Sequence, residues 1–129
     1  MCIRDRALAL ADRGVVIQRP QGDPQMAASY RAARVHLYPG QPGDSWGASL
    51  QESQASGLPG VARVACPAGL ARIVNGQTGS VCGDDASFAA AAVELLNDRV
   101  SFDRAAANAR EFQRGRTWQV AAAEFEALL

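Results

Sequence analysis

Short β-branched apolar runs alternate with helix-like segments along this chain, and a glycine or proline separates most of them. Strands that are joined by helices form right-handed crossovers, which place the strands parallel in one sheet. We therefore predict an α/β fold: a partial Rossmann-like parallel sheet flanked by helices, with a helical C-terminus. The sheet is predicted to have about four strands, over residues 15–17, 34–38, 59–64 and 80–83.

The helix boundaries follow from capping residues, proline in the first turn and glycine stops. Asp23 is predicted to cap a helix that has Pro24 at its first position, and Asp85 or Ser87 is predicted to cap a long helix. The helices are predicted over residues 7–13, 24–33, 46–56, 69–74, 88–96, 100–114 and 117–128. In parallel sheets of this kind, ligands bind beyond the carboxyl ends of the strands.

The charge balance argues against several kinds of partner. The chain has 13 basic and 13 acidic residues and a formal net charge of zero, so nothing attracts it electrostatically to nucleic acid. No apolar run approaches the roughly 20 residues that span a bilayer, and residues 1–12 lack the apolar core of a signal peptide. We predict no nucleic-acid partner, no membrane span and a cytoplasmic protein.

The cysteines favour a reducing compartment. Cys2, Cys66 and Cys82 are odd in number and irregularly spaced, and the only histidine is His36. Zinc sites and disulfide frameworks need regularly spaced ligands or paired cysteines. We therefore predict neither a metal site nor a disulfide framework, and the cytoplasm is the compartment that fits.

The first six residues, "MCIRDR", are predicted to come from a source other than the natural gene. This hexapeptide is what the codons ATG TGT ATA AGA GAC AGR encode, and that DNA resembles the transposase end sequence used to prepare sequencing libraries. Residues 1–6 are therefore predicted to be a translated adapter that is not part of the folded domain. On this hypothesis residues 7–129 are a truncated domain of a longer natural protein.

The stretch "DSWGASLQES", residues 44–53, follows the predicted strand 34–38 and opens a helix. The first turn of a helix carries unpaired N–H groups and the positive end of the macrodipole. Gly47 and Ala48 leave room for a phosphate to approach that backbone. Glu52 points back along the helix flank, where its carboxylate can accept hydrogen bonds from a ribose diol. Asp44, on the other side of the tip, can meet the hydroxyls of a sugar beyond the phosphates.

At these residues the chain resembles the retaining glycosyltransferases of family 4, which have the GT-B fold and carry E-x-F-G-x-x-x-x-E followed by "A-x-G-L-P-V-V-A". The acid, aromatic, glycine and second acid fall on Asp44, Trp46, Gly47 and Glu52, and "ASGLPGVA" matches the continuation. "ARIVNGQTG", residues 71–79, resembles the family's "ERIVDGxTG" turn. Residues 84–99 and 116–129 are similar to its closing helices, so the resemblance covers residues 15–129 in order.

The resemblance implies the C-terminal, donor-binding half of a GT-B enzyme, with a nucleotide-diphosphate-sugar as donor and no metal or other cofactor. It implies that Glu52 binds the ribose and that Asp44 faces the donor sugar, where a catalytic role is open to it. The acceptor-binding N-terminal domain would be a missing partner, the fragment alone would be inactive, and peripheral membrane association of the parent is compatible with the family. The implied donor-binding residues are Asp44, Trp46, Gly47, Ala48, Ser49 and Glu52.

Each of these residues also has a structural interpretation. Asp44 can be only a helix N-cap, Glu52 a solvated helix residue, Trp46 a packing residue and His36 a structural residue of a strand. At the level of function, two alternatives stay open. One is another GT-B enzyme, such as a nucleotide-sugar epimerase or a phosphorylase. The other is a degenerate, non-catalytic nucleotide-sugar-binding module, which is compatible with aspartate at position 44 and alanine at position 71, where the family commonly has glutamate.

Overall fold

The computed structural model describes residue 16 and residues 22–127. Within that part of the chain, three strands form one open sheet in the order β1, β2, β3. They span His36–Tyr38, Gly60–Arg63 and Gly79–Cys82, and both neighbouring pairs run parallel. The predicted parallel sheet is therefore confirmed, and the strand positions agree with the apolar runs that predicted them.

The fourth predicted strand, over residues 15–17, lies almost entirely outside the described residues. Val16 alone is described there, and it is 77% exposed and not part of a strand. The helix predicted over residues 7–13 and the segment 1–6 also lie outside the described residues. The adapter hypothesis for that segment stays a prediction.

Helices connect the strands and close the C-terminal part of the fold. α2 begins after Gly47 and not at Trp46, because Gly47 adopts a left-handed conformation that a helix cannot include. α3 begins at Pro67, earlier than predicted, since proline is favoured in the first turn of a helix. The helices among the described residues are α1 Asp23–Ala32, α2 Ala48–Ala55, α3 Pro67–Arg72, α4 Asp85–Asn97, α5 Arg99–Arg114 and α6 Trp118–Glu126.

The sheet is covered by helices on both faces. Successive side chains of a strand point to opposite faces, and the neighbours Val61 and Ala62 of the central strand β2 belong to two different hydrophobic clusters. The first cluster is completed by Cys82, Leu95 and Ala105, and the second by Leu50 and Ile73. α4 and the part of α5 around Ala105 therefore lie on one face of the sheet, and α2 and α3 lie on the other. The C-terminal part of α5 packs against α2, where Gln113 donates to Gln54 over 2.6 Å.

Two predicted helix caps are wrong. The N-cap of α4 is Asp84, not Asp85 or Ser87, and the N–H of Ser87 donates to Asp84 Oδ1 over 2.7 Å. Ser87 serves as the reciprocal partner of a capping box, because its Oγ accepts from the N–H of Asp84. α1 is preceded by Gly22 without a side-chain cap, so Asp23 lies inside the first turn, where a negative charge still favours the helix.

Protonation of Asp84 should destabilise the fold in acid. Hydrogen bonds from the N–H and the hydroxyl of Ser87 lower the pKa of Asp84 below its ordinary value of 3.8. A lowered folded-state pKa gives stability that is present above the unfolded value and is lost as pH falls through the folded value. We expect the wild-type melting temperature, followed by circular dichroism, to fall on acidification below about pH 4.

Asp84→Asn is the matched variant for this prediction, because asparagine keeps a capping oxygen but does not titrate. Its melting temperature should fall less than that of the wild type over the same acid range. If the melting temperatures of the two proteins fall equally with pH, the Asp84 cap does not cause the pH dependence.

Candidate functional site

The loop after β1 leads directly to the tip of α2, at the carboxyl end of the sheet. Gly47 is the N-cap of α2, with φ 64° and ψ 42°. It is buried, and a Cβ at this position would lie 3.0 Å from the Cβ of Ala68 in α3. The glycine is therefore required both by the left-handed turn and by close packing against α3. Ala48 and Ser49 follow it and supply N–H groups of the first turn, which have no partner within a helix.

Asp44 is not a helix cap. Its carboxylate accepts a hydrogen bond from the hydroxyl of Tyr38, the last residue of β1. This hydrogen bond is the main cause that raises the pKa of Tyr38 to about 12. The backbone of Asp44 is fixed as well, because its carbonyl oxygen accepts from the N–H of Ala68 over 2.9 Å. The structure therefore holds this acid in one position beside the tip of α2.

Glu52 lies on an exposed flank of α2, one helical turn beyond the tip. Its Oε2 accepts a hydrogen bond from the hydroxyl of Tyr30 in α1, over 3.3 Å. Burial and the negative charge of Glu52 raise the pKa of Tyr30. Each of the two acids thus receives a tyrosine hydroxyl, and each carboxylate keeps a second oxygen that can accept from a ligand.

His36 lies between the two tyrosines. Its ring centroid is 6.1 Å from that of Tyr30 and 5.6 Å from that of Tyr38. Its Nδ1 lies 2.8 Å from Ser53 Oγ in α2, and the hydroxyl of Ser53 donates to the carbonyl of Leu50 over 3.0 Å. The Ser53 oxygen is then left to accept from Nδ1–H. Burial lowers the pKa of His36, so the neutral ring suits this structural position.

The row Tyr30, His36, Tyr38 is a feature that sequence reasoning missed. It links the two acids of the motif, since the outer rings bind Glu52 and Asp44 and the central ring binds α2 through Ser53. His36 and Tyr38 are two residues apart in β1 and therefore share a face of the strand. That spacing was the available signal. The position of Tyr30 depends on tertiary packing and could not be read from it.

A shallow basin lies beside Asp44 at the end of β1. It has a volume of about 660 Å³ and is lined by Tyr38, Pro39, Gly40, Gln41, Gly43 and Asp44. Gly40 has φ 61°, and the side chain of buried Cys66 occupies the space where a Cβ would stand. Asp44, the acid beside which the donor sugar is predicted to lie, is part of the basin lining.

The structure contradicts the interpretation of Trp46 as a packing residue. Its side chain is 65% exposed, so it is not a core packing residue. The guanidinium of Arg72 lies 5.3 Å from the centre of its ring, and Arg72 Nε donates to the carbonyl of Trp46 over 3.0 Å. The ring points toward Arg72 and the start of α6, whose residues it joins in lining a groove.

The structure thus places Asp44, Trp46, Gly47, Ala48, Ser49 and Glu52 in one loop and the first turns of one helix. A family model described as glycosyl transferases group 1 matches residues 3–98. The chain belongs to this glycosyltransferase family. The match begins inside the segment 1–6 and leaves the adapter hypothesis for that segment unconfirmed. A search of curated protein sequences found no match.

Among solved structures, the chain is similar to Anabaena Alr3699/HepE in complex with UDP-glucose. The TM-score is 0.73 at 16% sequence identity, and the alignment covers 98% of this chain and 37% of that chain. This likeness shows the fold: the described part of the glycosyltransferase chain has the partial Rossmann-like architecture of one half of a GT-B fold. The chain spans 37% of the length of the protein that it matches.

Two further observations concern metal ions and membranes. Residues 16 and 22–127 contain no group of three or more histidine, cysteine or acidic side chains that could hold a metal ion. No helix within the same part of the glycosyltransferase chain has the length and apolar character needed to cross a membrane.

Proposed function

We propose that the protein containing this chain is a retaining glycosyltransferase of family 4, and that this chain is its donor-binding half. The observation that supports the proposal is the position of two acidic residues beside the tip of α2, in a chain that belongs to the glycosyl transferases group 1 family. Asp44 stands on one side of that tip and Glu52 on its flank, and a tyrosine hydroxyl fixes each carboxylate. A nucleotide-diphosphate-sugar is the substrate that this arrangement fits.

The diphosphate of the donor would bind at the first turn of α2. The N–H groups of Ala48 and Ser49 and the positive end of the helix attract phosphate there. Gly47 supports this binding by setting the left-handed turn that starts the helix, and its own surface is buried. The exposed ring of Trp46 borders the same tip.

The two acids would bind the two sugars of the donor. Glu52 Oε2 is engaged by Tyr30, so its other oxygen is available to the ribose hydroxyls. Asp44 is engaged by Tyr38 in the same way, and its remaining acceptor capacity would face the donor sugar. We propose transfer of a hexose without a metal ion, with the leaving diphosphate stabilised by the helix dipole and by basic groups of the missing part.

The acceptor would bind to an N-terminal domain that the chain lacks, and we propose that the chain alone is inactive. We propose a cytoplasmic parent, for which peripheral membrane association is compatible with the family. UDP-glucose, the ligand of the similar Alr3699/HepE structure, is the first donor to test. Contact between this half and the N-terminal domain would complete the donor site.

The test is release of nucleoside diphosphate from a panel of donors by the full-length protein that contains this chain. We expect release from at least one donor, and none when the 129-residue chain is assayed alone. Conversion of the donor sugar without release would indicate an epimerase. A requirement for orthophosphate would indicate a phosphorylase, and tight binding without turnover would indicate a non-catalytic module.

A further inference from the structure

A second recess, here called the tryptophan groove, lies between α2, α3 and α6. It has a volume of about 550 Å³, which is within the range of small-ligand sites. Trp46 and Trp118 line it with side chains that are 65% and 85% exposed. Adjacent exposed apolar side chains that are bordered by polar residues are typical of a binding groove. Its full lining is Trp46, Gln51, Arg72, Arg116, Thr117, Trp118, Gln119, Val120, Ala121 and Glu124.

Two arginines in the groove lack an acidic partner. The ion pairs formed among the described residues involve Arg63, Arg99 and Arg114, and neither Arg72 nor Arg116 is among them. Burial lowers the pKa of Arg72, and the positive charge of Arg116 adds to that effect. Two like charges held near each other without a counter-ion are relieved by a bound anion.

The remaining polar groups of the groove suit hydroxyl groups. Gln51 and Gln119 offer amide donors and acceptors, and Glu124 offers a carboxylate. Glu124 is the one acid in the lining, and it forms no ion pair with either arginine among the described contacts. The backbone carbonyl of Trp46 fixes the Arg72 side chain over 3.0 Å, so its guanidinium is oriented before any ligand arrives.

We propose that the tryptophan groove binds an anionic saccharide, a sugar ring that carries a phosphate or carboxylate group. The apolar face of the sugar ring would stack on the tryptophan rings. The anionic group would receive paired N–H donors from Arg72 and Arg116, because the planar guanidinium matches phosphate and carboxylate oxygens. The amides and Glu124 would bind the ring hydroxyls.

This groove is separate from the flank on which the ribose is proposed to bind. Gln51 faces the groove, whereas its neighbour Glu52 faces Tyr30 in α1. Consecutive residues of a helix are turned by about 100° from each other. Trp46 alone is common to both sites. The saccharide proposal therefore does not depend on the donor-binding proposal and can fail or hold by itself.

Tryptophan fluorescence measures this binding directly, because the chain has only two tryptophans and both line the groove. Glucose 1-phosphate titrated into the 129-residue chain should change the emission saturably. Glucose and orthophosphate, each tested alone, should bind at least about tenfold more weakly, since each lacks one of the two contacts. Equal affinity for orthophosphate would reduce the groove to a simple anion site and overturn the proposal, as would equal affinity for glucose.

Arg116→Gln should weaken the binding of glucose 1-phosphate by about tenfold to a hundredfold. Arg99→Gln is the control, because it removes the same charge from an exposed position at the far end of α5, about 24 Å away along the helix. Trp118→Ala should also weaken binding, and Trp118→Phe should restore part of it. Unchanged affinity in Arg116→Gln, with an unchanged circular dichroism spectrum, would overturn the proposal. Asp44→Asn should leave glucose 1-phosphate binding intact, because Asp44 belongs to the proposed donor site and does not line the groove.

Discussion

Replacing Gly79 with alanine should strongly destabilise the folded chain. Gly79 is the first residue of β3, with φ 153°, and it pairs with Gly60 of β2. A Cβ at residue 79 would overlap the carbonyl oxygen of Gly60 and would lie 2.9 Å from its carbonyl carbon. Backbone atoms of a paired strand cannot retreat without breaking the sheet. We expect a loss of about 4 kcal/mol or more in the free energy of unfolding, measured by urea denaturation.

Gly76→Ala is the matched control for this prediction. Gly76 also has a positive φ, 75°, but nothing lies within 4 Å of a Cβ built there. Its replacement should cost only the left-handed backbone strain, about 1–2 kcal/mol. The sequence suggests turn geometry for both glycines. Only the structure shows that a side chain at residue 79 would overlap a neighbouring strand and that one at residue 76 would not. A Gly79→Ala protein as stable as Gly76→Ala would contradict the close approach of β2 and β3.

Glu52→Gln should weaken donor binding to the full-length protein by one to two orders of magnitude. The ribose diol would donate to this carboxylate, and hydrogen bonds to a charged acceptor contribute about 1.5–3 kcal/mol. Glutamine keeps the shape but loses the charge and turns one acceptor into a donor. An order of magnitude in Kd corresponds to about 1.4 kcal/mol. Calorimetric titration of UDP-glucose into both proteins measures the difference. Glu52→Ala should be at least as severe, with helix content unchanged.

Glu94→Gln is the control for the donor-binding prediction. Glu94 is also an exposed helical acid, but it lies on α4 and accepts from Ser101 of α5 over 3.0 Å. Its replacement should leave the Kd for UDP-glucose unchanged. If Glu52→Gln binds as tightly as the wild type, Glu52 is a surface residue and the assignment of the ribose to it fails.

The parallel sheet was predictable because its signal is local. A short apolar strand between two breakers, followed by a helix-like segment, leaves few other topologies, and β1, β2 and β3 lie where the apolar runs stand. The helix caps were less predictable. Three polar residues at positions 84, 85 and 87 could each start α4, and the choice of Asp84 depends on its reciprocal bonds with Ser87.

The environment of the candidate site depended on contacts between distant parts of the chain. The spacing of the motif predicted Asp44 and Glu52 as site residues. It did not predict the tyrosines whose hydroxyls donate hydrogen bonds to them. Arg116 and Trp46 line the same groove only because α5 and the start of α6 pack against α2. Such long-range placements follow from side-chain packing over the whole domain, which a periodicity pattern does not encode.

The most direct test of the donor-binding account is a crystal structure of the full-length protein with UDP-glucose. We expect the diphosphate at the N–H groups of Ala48 and Ser49, the ribose hydroxyls within about 3 Å of Glu52, and the glucose toward Asp44. The tyrosine hydroxyls should stay on the two carboxylates. A nucleotide that binds elsewhere, or a ribose that does not touch Glu52, would contradict the account.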